Sequence, residues 1–551
     1  MDSTRTGRIV LAVLALAAVV RVWGLDFGLP LPHARPDEVA IAGPALKCLL
    51  GNCRPETFYY PSLFIYAVAA LYGAYFVVVA PLGWYPDLQA FAASSQGDLA
   101  PFLLIVRGVS ALMGTLTVYW VYQLGTRAAG RAVGLVAGGF LALGFLHVRD
   151  SHFATSDVTM TGLVVLGVLR VLAWHDAPSR RNAALAGAVV GLAASVKYNA
   201  LGVAVAFVVA AACLVSDAGP AGRARALRQV AVAAGVFGLL LLVAFLGTTP
   251  YVVLDWPRFV RDVFERGEDL GTSHSVILPR GWWHHPVVSL PAAFGWPVYV
   301  CALAGAVGWM ATSLRRAAMV LAFPVAYFVV AGSMLTVFAR YVLPIVPFLA
   351  LTAAWLVVTL SRWMLPTARA QARGLATAAV AGLLILPSAR DVWHLDRAMS
   401  RDDTRVVAAR SLARVARPGQ RVHRSGGMSG RVPFDLHGLR VDLDDVGFDL
   451  AHRSFTYADG TAAPDPDWLV VQRSPLVVYS DVPLELDVVA ATRYRLIETI
   501  KATDERDGRV YDQQDAFFCP LSGLDGVKRL GPNVFLYQRR TDVAAAATPV
   551  P

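Results

Sequence analysis

The sequence predicts a polytopic α-helical membrane protein that ends in a soluble α/β or α+β domain. Three observations carry this reading. Of the 551 residues, 56% are hydrophobic and 16% charged, against about 25% charged in an ordinary soluble domain. Apolar runs long enough to cross a bilayer recur through residues 1–390, and the mean hydropathy of the whole chain is +0.53. After Arg390 the composition turns polar, so residues 391–540 form a separate soluble unit and residues 541–551 a disordered tail.

The elements follow in order. The first apolar run, Ile9 to Val20, is preceded by Arg5 and Arg8. No small-residue cleavage site follows it, and Arg21-Val-Trp-Gly-Leu25 reads as an interfacial end, so it is a retained anchor with a cytoplasmic N-terminus. Residues 26–101 make a first outer loop. The loop holds another apolar run, 62–81, with Tyr66, Tyr72 and Tyr75. If that run crossed, Arg127, Arg131 and every later basic loop would fall outside. If it lies along the membrane or re-enters, then Arg127/Arg131, Arg180/Arg181, Arg223/Arg225/Arg228, Arg315/Arg316 and Arg362/Arg369/Arg373 all lie inside. It is therefore read as re-entrant or interfacial.

Later spans are expected near 102–124, 132–147, 157–174, 183–196, 199–216, 229–249, 289–311, 317–336, 341–361 and 374–390. With the first helix these make about 11 spans, and they put the C-terminal domain outside. Two further outer loops matter: Val148 to Ser156, and the larger 251–288 with four arginines that run against the positive-inside trend. In the C-terminal domain, 411–416 reads as helix, and 468–472, 494–500 and 533–538 as strands. No solenoid repeat is visible. The net charge of +10 is accounted for by the inside loops, so no nucleic-acid partner is implied. Cys48 and Cys53 share one short polar turn and could pair if it faces an oxidising compartment; the sequence leaves the pairing open. Cys213 and Cys301 lie in apolar runs and read as packing residues.

Ionisable side chains at the membrane boundary are costly, so each is a functional candidate. This topology gathers several on the outer face. Asp37 and Glu38 follow helix one, and Arg107 opens the second span. Arg149, Asp150, His152 and Asp157 occupy the short outer loop. Lys197 ends a hairpin, His274 lies in the long outer loop, and Arg340-Tyr341 opens the span near 341–361. Carboxylates can serve as general base and cations can hold a phosphate. Plainer roles exist. Asp37, Glu38 and Asp157 suit helix starts, Lys197 can snorkel and Arg107 can pair structurally. Two acids so close to an apolar span exceed what a cap needs, which favours a chemical role for Asp37.

The order of motifs then resembles a known group. Asp37-Glu38 in the first outer loop is followed by Tyr59-Tyr60-Pro-x-Leu63, Arg107, Arg149-Asp-Ser-His-Phe-Ala-Thr-Ser-Asp157, Val196-Lys-Tyr-Asn-Ala200 and Arg340-Tyr-Val-Leu-Pro-Ile-Val-Pro347. This is similar to the GT-C glycosyltransferases of family 39 type, which include protein O-mannosyltransferases and lipid A aminoarabinose transferases. The resemblance covers residues 8–390; Arg401-Asp-Asp-Thr-Arg405 and Pro418-Gly419 extend it to bacterial members. It implies a polyprenyl-phosphate-sugar donor and inverting transfer on the extracytoplasmic face of a bacterial cell membrane, to a protein, lipid or glycan acceptor. It places the catalytic carboxylate at Asp37, the second acid at Asp157 and the phosphate-facing lysine at Lys197. Glu38 joins the catalytic set. Arg340, Tyr341, His274, Arg107, His152 and Tyr60 complete the substrate-binding set. No cofactor is required; a divalent metal between Asp37 and Asp157 is compatible with the chemistry but not demanded by a monophosphate leaving group.

Two departures stand out. Tyr60-Pro61-Ser62 replaces the Lys-Pro-Pro of the aminoarabinose transferases, and Val39-Ala40 stands where they carry an arginine after the acid pair. A lipid A-type substrate is therefore not supported. The rival readings are an O-antigen ligase or polymerase using a diphosphate-linked donor, and a multi-spanning transporter. The transporter predicts internal repeats and charges at mid-membrane.

Overall fold

The computed structural model describes residues 3–271, 276–427, 429–476, 480, 482–504, 511–515 and 517–540. The chain forms two compact units that interleave in sequence. One comprises Met1–Trp23, Ala40–Leu88 and Leu103–Trp393; the other comprises Gly24–Val39, Gln89–Phe102 and His394–Pro551. The sequence predicts a single boundary near residue 390, whereas two pieces of the first outer loop fold with the C-terminal part.

The first unit is helical. Among the described residues, 8 helices are long and apolar enough to cross a membrane, or up to 9 if one bent pair counts as a span. The expectation was about 11. The differences have local causes. Ser3–Val22 is a 20-residue helix but carries Arg5, Arg8 and Arg21. Arg131–Ala142 has 12 residues and Arg180–Val196 has 17, short of the roughly 20 that a bilayer needs. Gly281–Ala292 and Trp296–Thr312 form the bent pair, at 118°. Ser62–Leu82 is among the long helices, with 21 residues and mean hydropathy 2.2.

Small residues let these helices close up. A Cβ at Gly187 would lie 2.1 Å from the Phe237 carbonyl oxygen, and one at Gly191 would lie 2.3 Å from that of Leu241. Arg180–Val196 therefore packs nearly backbone to backbone on Gly219–Thr248, as small-residue interfaces allow. Two of the basic loops predicted to share one face meet on one carboxylate. Arg127 donates to Asp176 at 2.9 Å and Arg316 donates to the same carboxylate at 2.7 Å, while Arg315 pairs with Asp217.

The second unit is built on a five-stranded sheet. Its order is Asp444–Asp445, Arg421–Arg424, Trp468–Arg473, Asn533–Arg539, Tyr494–Ile500. The first three strands run parallel to one another, and Asn533–Arg539 is antiparallel to both of its neighbours. Three of these strands lie where the sequence predicts them. The predicted helix at 411–416 begins earlier, as Thr404–Val415, because Asp403 caps it: its carboxylate accepts from Arg405 N at 2.9 Å. The core holds Val446, Phe455, Leu469, Val471, Leu486, Val489 and Tyr494. The expected tail at 541–551 lies outside the described residues.

Candidate active site

In the first unit the candidate residues converge on one tyrosine. Asp157 opens helix Asp157–Asp176 and is buried. Lys197 stands in extended conformation just past helix Arg180–Val196, where its side chain is free of the helix. Its Nζ lies 2.5 Å from Asp157 Oδ1 and 5.7 Å from the centre of the Tyr341 ring. Arg340 Cζ lies 5.8 Å from that same ring and 4.4 Å from the Phe338 ring. Arg266 Nη2 donates to the Tyr341 hydroxyl at 3.4 Å, and its guanidinium lies 5.4 Å from the Tyr59 ring. Three cations thus ring Tyr341; Asp157 is the counter-charge of Lys197, and Asp269 lies 3.9 Å from Arg266. Cation–π contacts are weak individually, but here they gather positive charge where an anionic group could be received.

Sequence reasoning singled out Lys197, Arg340 and Tyr341 but not Arg266. The signal was present: Arg266 is one of the outer-loop arginines that defy the positive-inside trend. It lies on Trp256–Gly271, a helix anchored through two contacts with the chain at residues 54–58. Phe58 N donates to Asp262 Oδ2 at 3.0 Å, and Arg54 Nη2 donates to Asp255 at 2.8 Å. Tyr60 is half-buried, beside Tyr59. His274 lies outside the described residues.

The loop before Asp157 is a buried polar layer. Helix Arg131–Ala142 stops short, and its end carbonyls are taken up by Arg21, which donates to Leu141 O and Ala142 O at 3.1 Å. Ser388 bridges the break, donating to Leu143 O at 2.7 Å and accepting from Phe145 N at 2.9 Å. The chain then turns through Phe145–Asp150 to Asp157. Arg107, Arg149, Asp150 and His152 are all buried, and Arg149 pairs with Asp150 at 3.4 Å. His152 has Nδ1 2.9 Å from Val148 O and Nε2 3.1 Å from Trp23 O. Two carbonyl partners favour the charged ring, but burial outweighs them, with smaller contributions from Arg21 and Arg107, and pushes the imidazole down to about 4. A neutral ring donates to one carbonyl at a time.

Asp37 and Glu38 belong to the second unit. Both lie in the turn Pro36–Glu38. Arg35 Nη2 meets Asp37 Oδ2 at 3.0 Å, where the Asp37 side chain is 31% exposed; Glu38 is buried. The structure therefore brings Asp157, Lys197, Arg340 and Tyr341 together in one unit and sets Asp37 and Glu38 in the other. Among the described residues, no group of three or more His, Cys, Asp or Glu is placed to hold a metal ion. Asp37, in the second unit, and Asp157, in the first, are each engaged by a cation. Cys48 and Cys53, left open by sequence, are paired.

A family model described as dolichyl-phosphate-mannose-protein mannosyltransferase matches residues 103–247. That stretch carries Arg107, His152, Asp157 and Lys197. No curated protein matches the chain. Among solved structures, ArnT from Cupriavidus metallidurans in the apo state is similar over 100% of both chains, with TM-score 0.51 and 17% identity. The Archaeoglobus fulgidus oligosaccharyltransferase is similar over 74% of this chain at TM-score 0.44 and 13% identity; the chain spans 58% of that protein's length. The protein O-mannosyltransferase complex of S. cerevisiae overlaps 53% of this chain and 37% of its own, with TM-score 0.30 and 16% identity. The chain is a multi-spanning membrane protein with the GT-C fold, and its residues 103–247 match the family model described as dolichyl-phosphate-mannose-protein mannosyltransferase.

Proposed function

We propose that the protein is an inverting glycosyltransferase that moves a sugar from a polyprenyl-phosphate carrier to an acceptor hydroxyl on the extracytoplasmic face of a bacterial cell membrane. The observation that carries this reading is the ring of Lys197, Arg340 and Arg266 around Tyr341. A polyprenyl phosphate leaves well only when its developing charge is compensated, and preorganised cations are often the largest catalytic contribution. In the reaction the acceptor oxygen bonds to the anomeric carbon as the bond from that carbon to the phosphate oxygen breaks. The acceptor proton passes to the Asp37 carboxylate, a general-base step worth about 10²–10⁴-fold. The polyprenyl phosphate departs with the electron pair onto the cations. Asp157 sets the position of Lys197, and Tyr341 orients the three cations. His152 and Arg107 support the loop that ends at Asp157.

Two observations support the orientation. The Cys48–Cys53 disulfide fits an oxidising compartment, and Arg127, Arg315 and Arg316 gather at one end of the helices, as a cytoplasmic face would have them. The deciding experiment is mass spectrometry of envelope glycans, glycolipids and glycoproteins with the wild-type protein, without it, and with Asp37→Asn. A sugar present only with the wild type supports the reading. Transfer that survives Asp37→Asn removes the base role. Transfer in vitro from a diphosphate-linked donor but not a monophosphate one moves the protein to the ligase or polymerase class.

A further inference from the structure

Arg35 has no role in the reaction as drawn, yet it is one of the most completely buried arginines in the protein, at 1% exposure. A buried guanidinium persists only when its charge is paired and its donors are used. The charge is paired inside the second unit, through both terminal nitrogens. Nη1 reaches Asp515 Oδ1 at 2.6 Å and Nη2 reaches Asp37 Oδ2 at 3.0 Å, so the planar fork is shared between two carboxylates. The guanidinium also lies 4.9 Å from the centre of the Phe517 ring, and Phe27 packs on Phe517 with ring centres 5.9 Å apart.

The backbone is shaped to hold this arrangement. Arg35 is extended at φ −128°, ψ 100°, the conformation imposed on a residue before proline. Pro36 then opens the short turn that presents Asp37. Gly28 has φ +68°, and a Cβ there would meet the Ala34 Cβ at 2.3 Å, so the loop closes tightly just before Arg35. Of the three charged groups, Arg35 and Asp515 are buried while the Asp37 side chain keeps 31% exposure. The accessible carboxylate is thus fixed from behind by two inaccessible groups.

We propose that Asp515, contributed by the C-terminal part of the chain, and Arg35 are positioning residues for Asp37. This inference rests on the reading of Asp37 as the general base. Asp515 fixes the plane of Arg35, and Arg35 fixes the Asp37 carboxylate. The soluble part of the chain, whose role the sequence leaves open, thereby becomes a structural component of the base.

The test uses the full-length protein with Asp37→Asn, Asp515→Asn, Asp515→Glu, Arg35→Gln and Arg35→Lys, measuring kcat, donor KM, the pH–rate profile and thermal unfolding. Asp515→Asn is expected to lower kcat roughly 10- to 100-fold, the scale set by small misplacement of a reacting group, with donor KM unchanged and the unfolding temperature lowered only in part, because Asp37 remains as a counter-charge for Arg35. Asp515→Glu restores part of the rate, as does Arg35→Lys. Arg35→Gln moves the acid limb of the profile to higher pH. If Asp515→Asn unfolds the protein, Asp515→Glu and Arg35→Lys decide by the same split between kcat and KM. Wild-type kcat in Asp515→Asn, or a loss that follows only the unfolded fraction, overturns the positioning role. If Asp37→Asn is inactive in that case, the base reading stands alone; if Asp37→Asn is active, both fall.

Discussion

Lys197 Nζ sits 2.5 Å from Asp157 Oδ1, with the two side chains at 20% and 5% exposure. The pair joins the end of one helix to the start of another, 40 residues earlier. Replacing one partner strands the other charge in a largely dry setting. Lys197→Met should therefore destabilise the protein by up to about 3 kcal/mol, the lower end for a broken buried pair because Lys197 keeps some water contact. Lys197→Met/Asp157→Asn should recover most of that stability while remaining inactive. Thermal unfolding in detergent alongside a transfer assay checks both halves. A double variant no more stable than Lys197→Met would show that the pair is not what holds these helix ends.

Arg266 separates charge from contact in the phosphate-binding proposal. Its 3.4 Å approach to the Tyr341 hydroxyl is a long hydrogen bond, so Tyr341→Phe should cost little. Arg266→Ala removes a full cation and should lower kcat/KM for the donor by roughly 10²-fold, as loss of one preorganised donor does elsewhere. Arg266→Lys should retain an intermediate rate. Steady-state kinetics with a polyprenyl-phosphate donor decide it. Equal losses in Tyr341→Phe and Arg266→Ala would mean that Arg266 acts only through the tyrosine.

Much of this arrangement was legible in the sequence, but unevenly. Asp157, Lys197 and Arg340 announce themselves because each is an ionisable residue at the edge of an apolar run, where desolvation makes it expensive. Arg266 was obscured because its helix, Trp256–Gly271, carries both signs of charge and looks like any solvated surface segment. Asp515 carried no signal at all. It lies 480 residues from Arg35, and pairing across such a distance leaves no local pattern. The 8 or 9 long apolar helices among the described residues leave out the first helix, which the sequence reading includes: Ser3–Val22 carries Arg5, Arg8 and Arg21, and the Arg21 guanidinium is spent on the carbonyls of Leu141 and Ala142.

His152 makes stability depend on pH. Burial holds the folded imidazole at about 4, against an ordinary value of 6.5. The unfolded chain takes up a proton near 6.5 and the folded chain only near 4. The stabilisation from the neutral ring is therefore complete above pH 6.5, declines as pH falls from 6.5 to 4, and is gone below 4. Its full extent is about 3 kcal/mol. The unfolding temperature of the wild type should fall across that window, and that of His152→Gln should fall less. Equal slopes in the two proteins would rule out His152 as the source.

The helix Ser62–Leu82 poses the sharpest test of topology. Its 21 residues and hydropathy of 2.2 suit a crossing. Its flanks argue otherwise. Gly24–Val39 before it and Gln89–Phe102 after it belong to one compact unit, in which Asp98 also meets His437 at 3.9 Å. A folded soluble unit cannot occupy both sides of a membrane, and Val39–Leu49, with 11 residues, is too short to supply a second crossing. The prediction is that the chain between the flanks returns to the side it left, with Ser62–Leu82 lying in one leaflet. A membrane-impermeant thiol reagent applied to intact cells should label Gln96→Cys and His452→Cys alike and spare Arg131→Cys, all three being solvent-exposed positions. Labelling of His452→Cys without Gln96→Cys would make Ser62–Leu82 a true span and would be incompatible with the second unit as folded.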